Sequence, residues 1–148
     1  MKESTMYPVF RHAFNYYWRT YGNISYHKDP DTWMWSRMGY DSFVVNPAGK
    51  HIAIEFKICH NKNYFNFTTL FANAEHELKN LAHIAKLSGL AWVIIKFSEY
   101  KGKIKYYPIN FIMNNLDTRI DIEWWYWSEF KKIKTDVQSV LDISPLLW

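Results

Sequence analysis

The chain reads as an α/β domain with a central mixed β-sheet flanked by helices, and three stretches predict this. His51 to Lys57 alternates with the period of a strand, so that Ile52, Ile54 and Phe56 fall on one face and Ala53, Glu55 and Lys57 on the other. Leu70 to Leu87 repeats apolar residues at helical spacing (Leu70, Ala74, Leu78, Leu81, Ala85) and meets Ser88-Gly89 at its end. Leu90 to Phe97 is a near-continuous apolar run, as expected of a strand covered on both faces. A helix between two strands makes a crossover, so those strands can be parallel with a right-handed connection.

The other elements follow in order. Val9 to Tyr21 predicts a helix, with Pro8 near its start, Gly22 past its end and Phe10, Phe14, Tyr17 and Tyr21 as its apolar stripe. Ile24 to His27 predicts a short strand, Lys28 to Thr32 a turn, and Trp33 to Gly39 a loop. Ser42 to Val45 predicts a strand joined to the His51 strand through a turn at Asn46-Pro47-Ala48-Gly49. Cys59 to Thr69 is polar and predicts a loop or irregular strand. Glu99 to Lys103 predicts a turn, and Ile104 to Ile109 a strand ended by Pro108. The order is α-β-β-β-α-β-β, followed by a C-terminal stretch of open form.

With 148 residues, one domain spanning 1–148 is expected, its core at about 9–112 and its segment 113–148 packing on that core or on a dimer partner. Met1 to Thr5 lacks the apolar centre of a signal peptide, and no apolar run approaches membrane-spanning length. The single cysteine, Cys59, excludes an intramolecular disulfide framework and reads as a strand-end thiol in a reducing cytosol. The expected location is the cytoplasm, or a host's cytoplasm if a virus encodes the chain. A net charge of +4 is compatible with an anionic partner. Aromatic residues make up 20% of the chain, and Trp33-Met34-Trp35 and Trp124-Trp125-Tyr126-Trp127 are too crowded to point inward together. Some of them are expected to face a second subunit or stacked bases.

Chemistry concentrates on Asp41, Glu55 and Lys57. Asp41 opens the Ser42 strand, and a hairpin there would bring its carboxylate close to Glu55. Two carboxylates with hard oxygen atoms suit Mg²⁺, which also takes water and substrate phosphate. A nearby lysine can orient or help deprotonate a water, or hold a phosphate. These are the parts that phosphodiester hydrolysis needs. The spacing alone also fits an exposed strand face carrying an ion pair, so the flanking residues decide.

Those flanking residues resemble a family. From about Tyr16 to Asn110 the chain is similar to the Holliday junction resolvases of the PD-(D/E)XK nuclease superfamily, of both the RecU and archaeal Hjc types. Tyr16-Tyr17 and His27-Lys28-Asp29-Pro30 resemble the RecU start. Tyr40-Asp41 stands at the first metal-binding aspartate and Glu55-Phe56-Lys57 at the Glu-x-Lys. Asn61-Lys62 with Phe65, then His76-Glu77 with Leu81 and Gly89, and finally Ala91 to Ile95 continue the match in order.

The resemblance implies a restriction-endonuclease-like core. It also implies a homodimer that resolves four-way (Holliday) junctions in branched DNA by paired phosphodiester hydrolysis, with Mg²⁺ as cofactor and Mn²⁺ able to substitute. By the same likeness Asp41, Glu55 and the backbone carbonyl of Phe56 bind the metal. Lys57 positions or activates water, and Glu77 joins the catalytic group. His27, Lys28, Ser36, Arg37 and Lys62 contact DNA. The chain departs from the family in three places. The helix glutamate that helps bind metal would fall near Tyr7, where the only nearby acid is Glu3. The family glutamine is Glu77 here. The RecU stalk is missing, and the Trp33–Arg37 loop takes its place. The alternatives are another nuclease of the superfamily, of restriction or repair type, and a non-catalytic nucleic-acid-binding relative.

Other polar clusters yield less. His76 and His83 would share a helix face about 10 Å apart, too far for one ion. His27, His51 and His60 lack ligand spacing. Lys28, Arg37, Lys50 and Lys62 read as phosphate contacts or as a solvated rim. Lys131-Lys132-Ile133-Lys134 reads as a solvated helix face. The apolar end (Val140, Leu141, Ile143, Leu146, Leu147, Trp148) is expected to pack on the body or on a second subunit.

Overall fold

The computed structural model describes residues 5–22, 24–28, 42–88, 90–123, 128–135 and 139–147, with backbone alone at 25–28 and 88. Helix α1 (Tyr7–Tyr21) begins two residues before the expected Val9, since Pro8 is tolerated in a first turn whose N–H groups lack helical partners anyway. It stops at Gly22, which takes a left-handed φ of 70° and donates its N–H to the Trp18 carbonyl at 2.8 Å. Phe10, Ala13, Phe14 and Tyr17 form its buried stripe. Tyr21, expected on that stripe, is instead 58% exposed at the end of the helix, where the core no longer reaches it.

The main sheet has the order β1-β2-β3-β5-β6. Its strands are β1 (Ser25–Lys28), β2 (Ser42–Val45), β3 (His51–Cys59), β5 (Leu90–Phe97) and β6 (Lys103–Pro108). β1/β2, β2/β3 and β5/β6 run antiparallel, and β3/β5 runs parallel. This is the expected mixed sheet with helices on both faces. Asn46 shapes the β2–β3 turn, its Oδ1 accepting from the Ala48 and Lys50 N–H groups. Between β3 and β5 stand β4 (Tyr64–Phe65), α2 (Phe67–Leu70) and α3 (Glu75–Ser88).

The single helix expected from Leu70 is thus two. Asn66 caps α2 by accepting from the Thr69 N–H at 2.7 Å, and Phe67 and Phe71 both enter the core one helical turn apart. A turn at 71–73, which contains Asn73, separates this short helix from Glu75.

The sheet divides the interior. On one face Ile52, Ile54, Phe56, Trp92 and Ile94 pack with α1 and the C-terminal residues Ile143, Leu146 and Leu147. On the other, Ala53, Val93, Ile95 and Phe97 pack with Phe67, Phe71, Leu78 and Leu81. The stretch after β6 holds α4 (Ile109–Asn114), β7 (Ile120–Asp121, paired with β4), a hairpin of β8 (Lys132–Lys134) and β9 (Ser139–Leu141), and a 3₁₀ turn at Ser144–Leu146. The lysine run expected on a helix is therefore a strand. Its alternation explains why: Ile133 packs against the core while Lys132 and Lys134 stay exposed.

The apolar end packs on the body through three side-chain bonds. Trp92 Nε1 donates to the Leu146 carbonyl (3.0 Å), Asn46 Nδ2 to the Leu147 carbonyl (2.9 Å) and the Tyr17 hydroxyl to Asp142 Oδ1 (2.6 Å). No helix among the described residues is long and apolar enough to cross a membrane.

Candidate functional site

Strand parity puts Glu55 and Lys57 on the α3 side of β3, as the alternation predicts. That face is covered, so Glu55 is only 4% exposed. Burying a carboxylate this deeply is costly unless other groups satisfy it, and Glu55 does have interaction partners. The Lys57 ammonium reaches Glu77 Oε2 on the first turn of α3, at 3.0 Å. The two side chains are 13% and 21% exposed, respectively. Their contact is one of charge more than direction, because Glu77 Oε2 meets no hydrogen-bond geometry. Lys57 also lies over the Phe71 ring, 5.1 Å from its centroid, within cation–π range. The crossover topology makes this possible: β3 runs parallel to β5, and α3, which connects them, packs back over the strand it left.

The pairing of β3 is asymmetric around Glu55. Among the described residues β2 accompanies β3 only up to Ser42↔Ile54, whereas β5 accompanies it to Cys59. The same row continues outward, Lys28 pairing with Ser42. The backbone of Lys28 thus stands two strands from Ile54, about 10 Å across the sheet.

Of the expected site residues, the structure brings Lys57 and Glu77 into contact and sets Glu55 on their face of the sheet. Phe56 occupies the opposite face, its ring 5.3 Å from that of Tyr7 and 5.2 Å from that of Phe10. Lys62 is exposed in the loop after β3, next to Asn61, whose amide donates to the Tyr64 carbonyl. His27 and Lys28 are placed by backbone alone in β1. Asp41, Ser36 and Arg37 lie outside the described residues, as do Glu3, Gly89 and both tryptophan clusters. His76 and His83 are exposed on α3. His60 Nδ1 stands 2.9 Å from the Ser98 hydroxyl.

Phe71 is the site residue that the sequence reading missed. The available signal was the Phe67/Phe71 spacing, obscured by treating Leu70 as the start of a long helix. Buried Lys105 on β6 is a second surprise. Its ammonium donates to the Ile122 carbonyl, and burial holds its pKa below the ordinary lysine value against the opposing pull of Glu129. It ties the C-terminal stretch to the sheet, in the same cross-strand row as Lys57, since Ile95 pairs with both residues.

No family model matches the chain, and no curated protein matches it. Among solved structures, it is similar to Hjc of Archaeoglobus fulgidus, described as a Holliday junction resolvase from an archaeal hyperthermophile. The TM-score is 0.47 and the identity 15%, over 78% of this chain and 85% of that one.

Proposed function

We propose that the chain is a metal-dependent DNA endonuclease of the Holliday junction resolvase kind. The observation that supports this best is Lys57, two residues beyond buried Glu55 on one strand face and seated between Glu77 and the Phe71 ring. Asp41 is the proposed second carboxylate. It precedes Ser42, Ser42 pairs with Ile54, and Glu55 is the next residue on β3. Phe43, two residues after Asp41, packs on the α3 side of the sheet, the side that Glu55 also takes. Among the described residues no three His, Cys, Asp or Glu side chains converge. Asp41, Glu55 and the Phe56 carbonyl together would make two carboxylates and a carbonyl, all hard oxygen donors that fit Mg²⁺ or Mn²⁺. When bound, such an ion supplies Lewis acidity and an activated water.

The residues of the chain set the rest. Lys57, held by the Glu77 carboxylate, works as a fixed cation that binds a non-bridging phosphate oxygen and steadies the charge building there. Glu77 positions Lys57. A water oxygen adds to phosphorus and gives up a proton to solvent, and the bond to the 3′-oxygen breaks as that oxygen takes a proton from solvent, which gives a 5′-phosphate and a 3′-hydroxyl. His27, Lys28, Ser36, Arg37 and Lys62 are the proposed backbone contacts beside the site. A homodimer in the cytoplasm would cut both strands of a four-way junction, choosing it by shape rather than base sequence.

The test compares a synthetic four-way junction with a linear duplex of the same sequence, in Mg²⁺ and in EDTA. Junction cutting that needs Mg²⁺, and that Lys57→Ala removes while junction binding persists, is the expected result. Equal cutting of both substrates would reduce the reading to a nuclease. Binding without cutting by either protein would leave a nucleic-acid-binding relative.

A further inference from the structure

We infer that the surface formed by α1 and the β8–β9 hairpin, across the sheet from Lys57, is a second phosphate-backbone contact for duplex DNA. This rests on the nucleic-acid reading above, but it concerns other residues. On α1 the buried stripe leaves Arg11, His12, Asn15, Trp18 and Arg19 exposed, and the helix contains no carboxylate. The hairpin packs beside it. Ile133 turns inward, which sends Lys132 and Lys134 outward together, and neither β8 nor β9 contains an acid. Cross-strand pairing sets Lys132 against Leu141 and Lys134 against Ser139. An open groove of about 410 Å³ joins the two elements, lined by Val9 and His12 of α1 and by Lys132 and Val140 of the hairpin.

Among the described residues of α1, β8 and β9, segments more than a hundred residues apart in sequence thus meet with charge of one sign, Asp136 between the two strands lying outside the described residues. Asp142, the acid that follows the hairpin, accepts a bond from the Tyr17 hydroxyl and is committed to the fold. A face evolved only for solubility mixes signs, as the exposed side of α3 does with Glu75, Lys79 and Lys86. Cations spread along a helix and an adjoining strand pair suit a repeating anion. Trp18, 58% exposed beside Arg11 and Asn15 on the helix surface, adds a flat apolar group of the kind that lies against sugars and bases. Because this face and the Lys57 face are opposite sides of one sheet, a duplex held here is a different segment from the one presented to Lys57. A branched substrate supplies such a segment.

The experiment measures binding of a labelled duplex by fluorescence anisotropy across a salt series in EDTA, so that hydrolysis plays no part. Wild type is compared with K132A/K134A, R11A/R19A and, as a control on α3, K79A/K86A. Each lost phosphate contact should lower the slope of log K against log salt by about 0.9, so each test pair should lose about 1.8 and the control nothing. All three substituted pairs are exposed, and circular dichroism checks folding. Equal slopes in wild type and both test pairs would overturn the inference, as would a wild type that ignores duplex DNA. Binding to phosphatidylserine vesicles in preference to duplex would also overturn it, since the partner would then be a membrane surface. Salt-sensitive binding without cleavage sinks the nuclease reading and leaves this one standing. Junction cleavage with unchanged slopes does the reverse.

Discussion

On the α1 side of the sheet β3 presents Ile52, Ile54 and Phe56, all fully buried against aromatic rings and the C-terminal turn. On the α3 side the same strand presents Ala53, Glu55 and Lys57, and the covering elements must supply a carboxylate and a ring face as well as apolar surface. The first face gains from every methylene it buries. The second bears the desolvation of at least three ionisable groups, which pairing offsets only in part. A strand of nine residues that accepts this cost on one side is supported by the other side, where Phe10, Phe56 and Phe130 interlock at centroid spacings of 5.2 and 5.3 Å. The difference separates scaffold from chemistry by strand parity alone.

Breaking the scaffold should therefore have the largest effect. Phe10→Ala removes a fully buried ring that touches Phe14, Phe56 and Phe130. It should cost about 3–5 kcal/mol in urea unfolding. A cost below about 1 kcal/mol would mean that α1 does not seal this face.

Breaking the charged face should cost less stability and more activity. Lys57→Ala leaves Glu77 Oε2 buried without its cation, at about 2 kcal/mol, and Glu77→Ala should cost a similar amount. In a double-mutant cycle the pair should show a coupling of about 1–2 kcal/mol. Lys57→Ala should also lower junction cleavage at least about 100-fold. Additive losses would show that the contact has no energetic meaning. A cutting Lys57→Ala variant would remove the lysine from the mechanism.

The same two faces explain what could be read from the chain beforehand. Elements whose neighbours lie close in sequence were legible: the β2–β3 hairpin with its Asn46 turn, the alternation of β3, the apolar run of β5. Glu55 and Lys57 were legible for the same reason, because period two fixes their face whatever covers it. The α2–α3 break was not, since Leu70 and Ala74 fit a helix locally, and the burial of Phe71 beneath Lys57 depends on a strand more than ten residues away. Nor was the β8 strand. Three alternating residues carry too little pattern to outweigh a lysine run, and only the pairing with Ser139–Leu141 reveals it.

A smaller effect tests how the scaffold face holds its C-terminal end. Burial pushes the Asp142 carboxyl up, but the bonds from the Tyr17 hydroxyl and Ser144 and the charge of Lys131 outweigh it and hold it below the ordinary carboxylate value. A depressed folded value stabilises above the unfolded pKa of about 3.9 and is lost as pH falls through the folded value. Tyr17→Phe should cost about 1.5–2 kcal/mol at pH 7, shrinking toward acid. A penalty that stayed constant down to pH 2 would mean that the bond does not depend on an ionised Asp142.

The smallest stability change is expected where the two faces meet solvent. Lys132 and Lys134 point away from the core, so K132A/K134A should shift unfolding by less than about 0.5 kcal/mol. That near-silence is what makes the pair informative. Their inward neighbour Ile133 already secures the hairpin to the α1 face, and the hairpin register with Ser139–Leu141 is a backbone property that alanine preserves. A loss of several kcal/mol, measured by urea unfolding in the salt used for binding, would assign the lysines to the fold. Their one-signed charge would then need no anionic partner to explain it, and the scaffold face would be scaffold throughout.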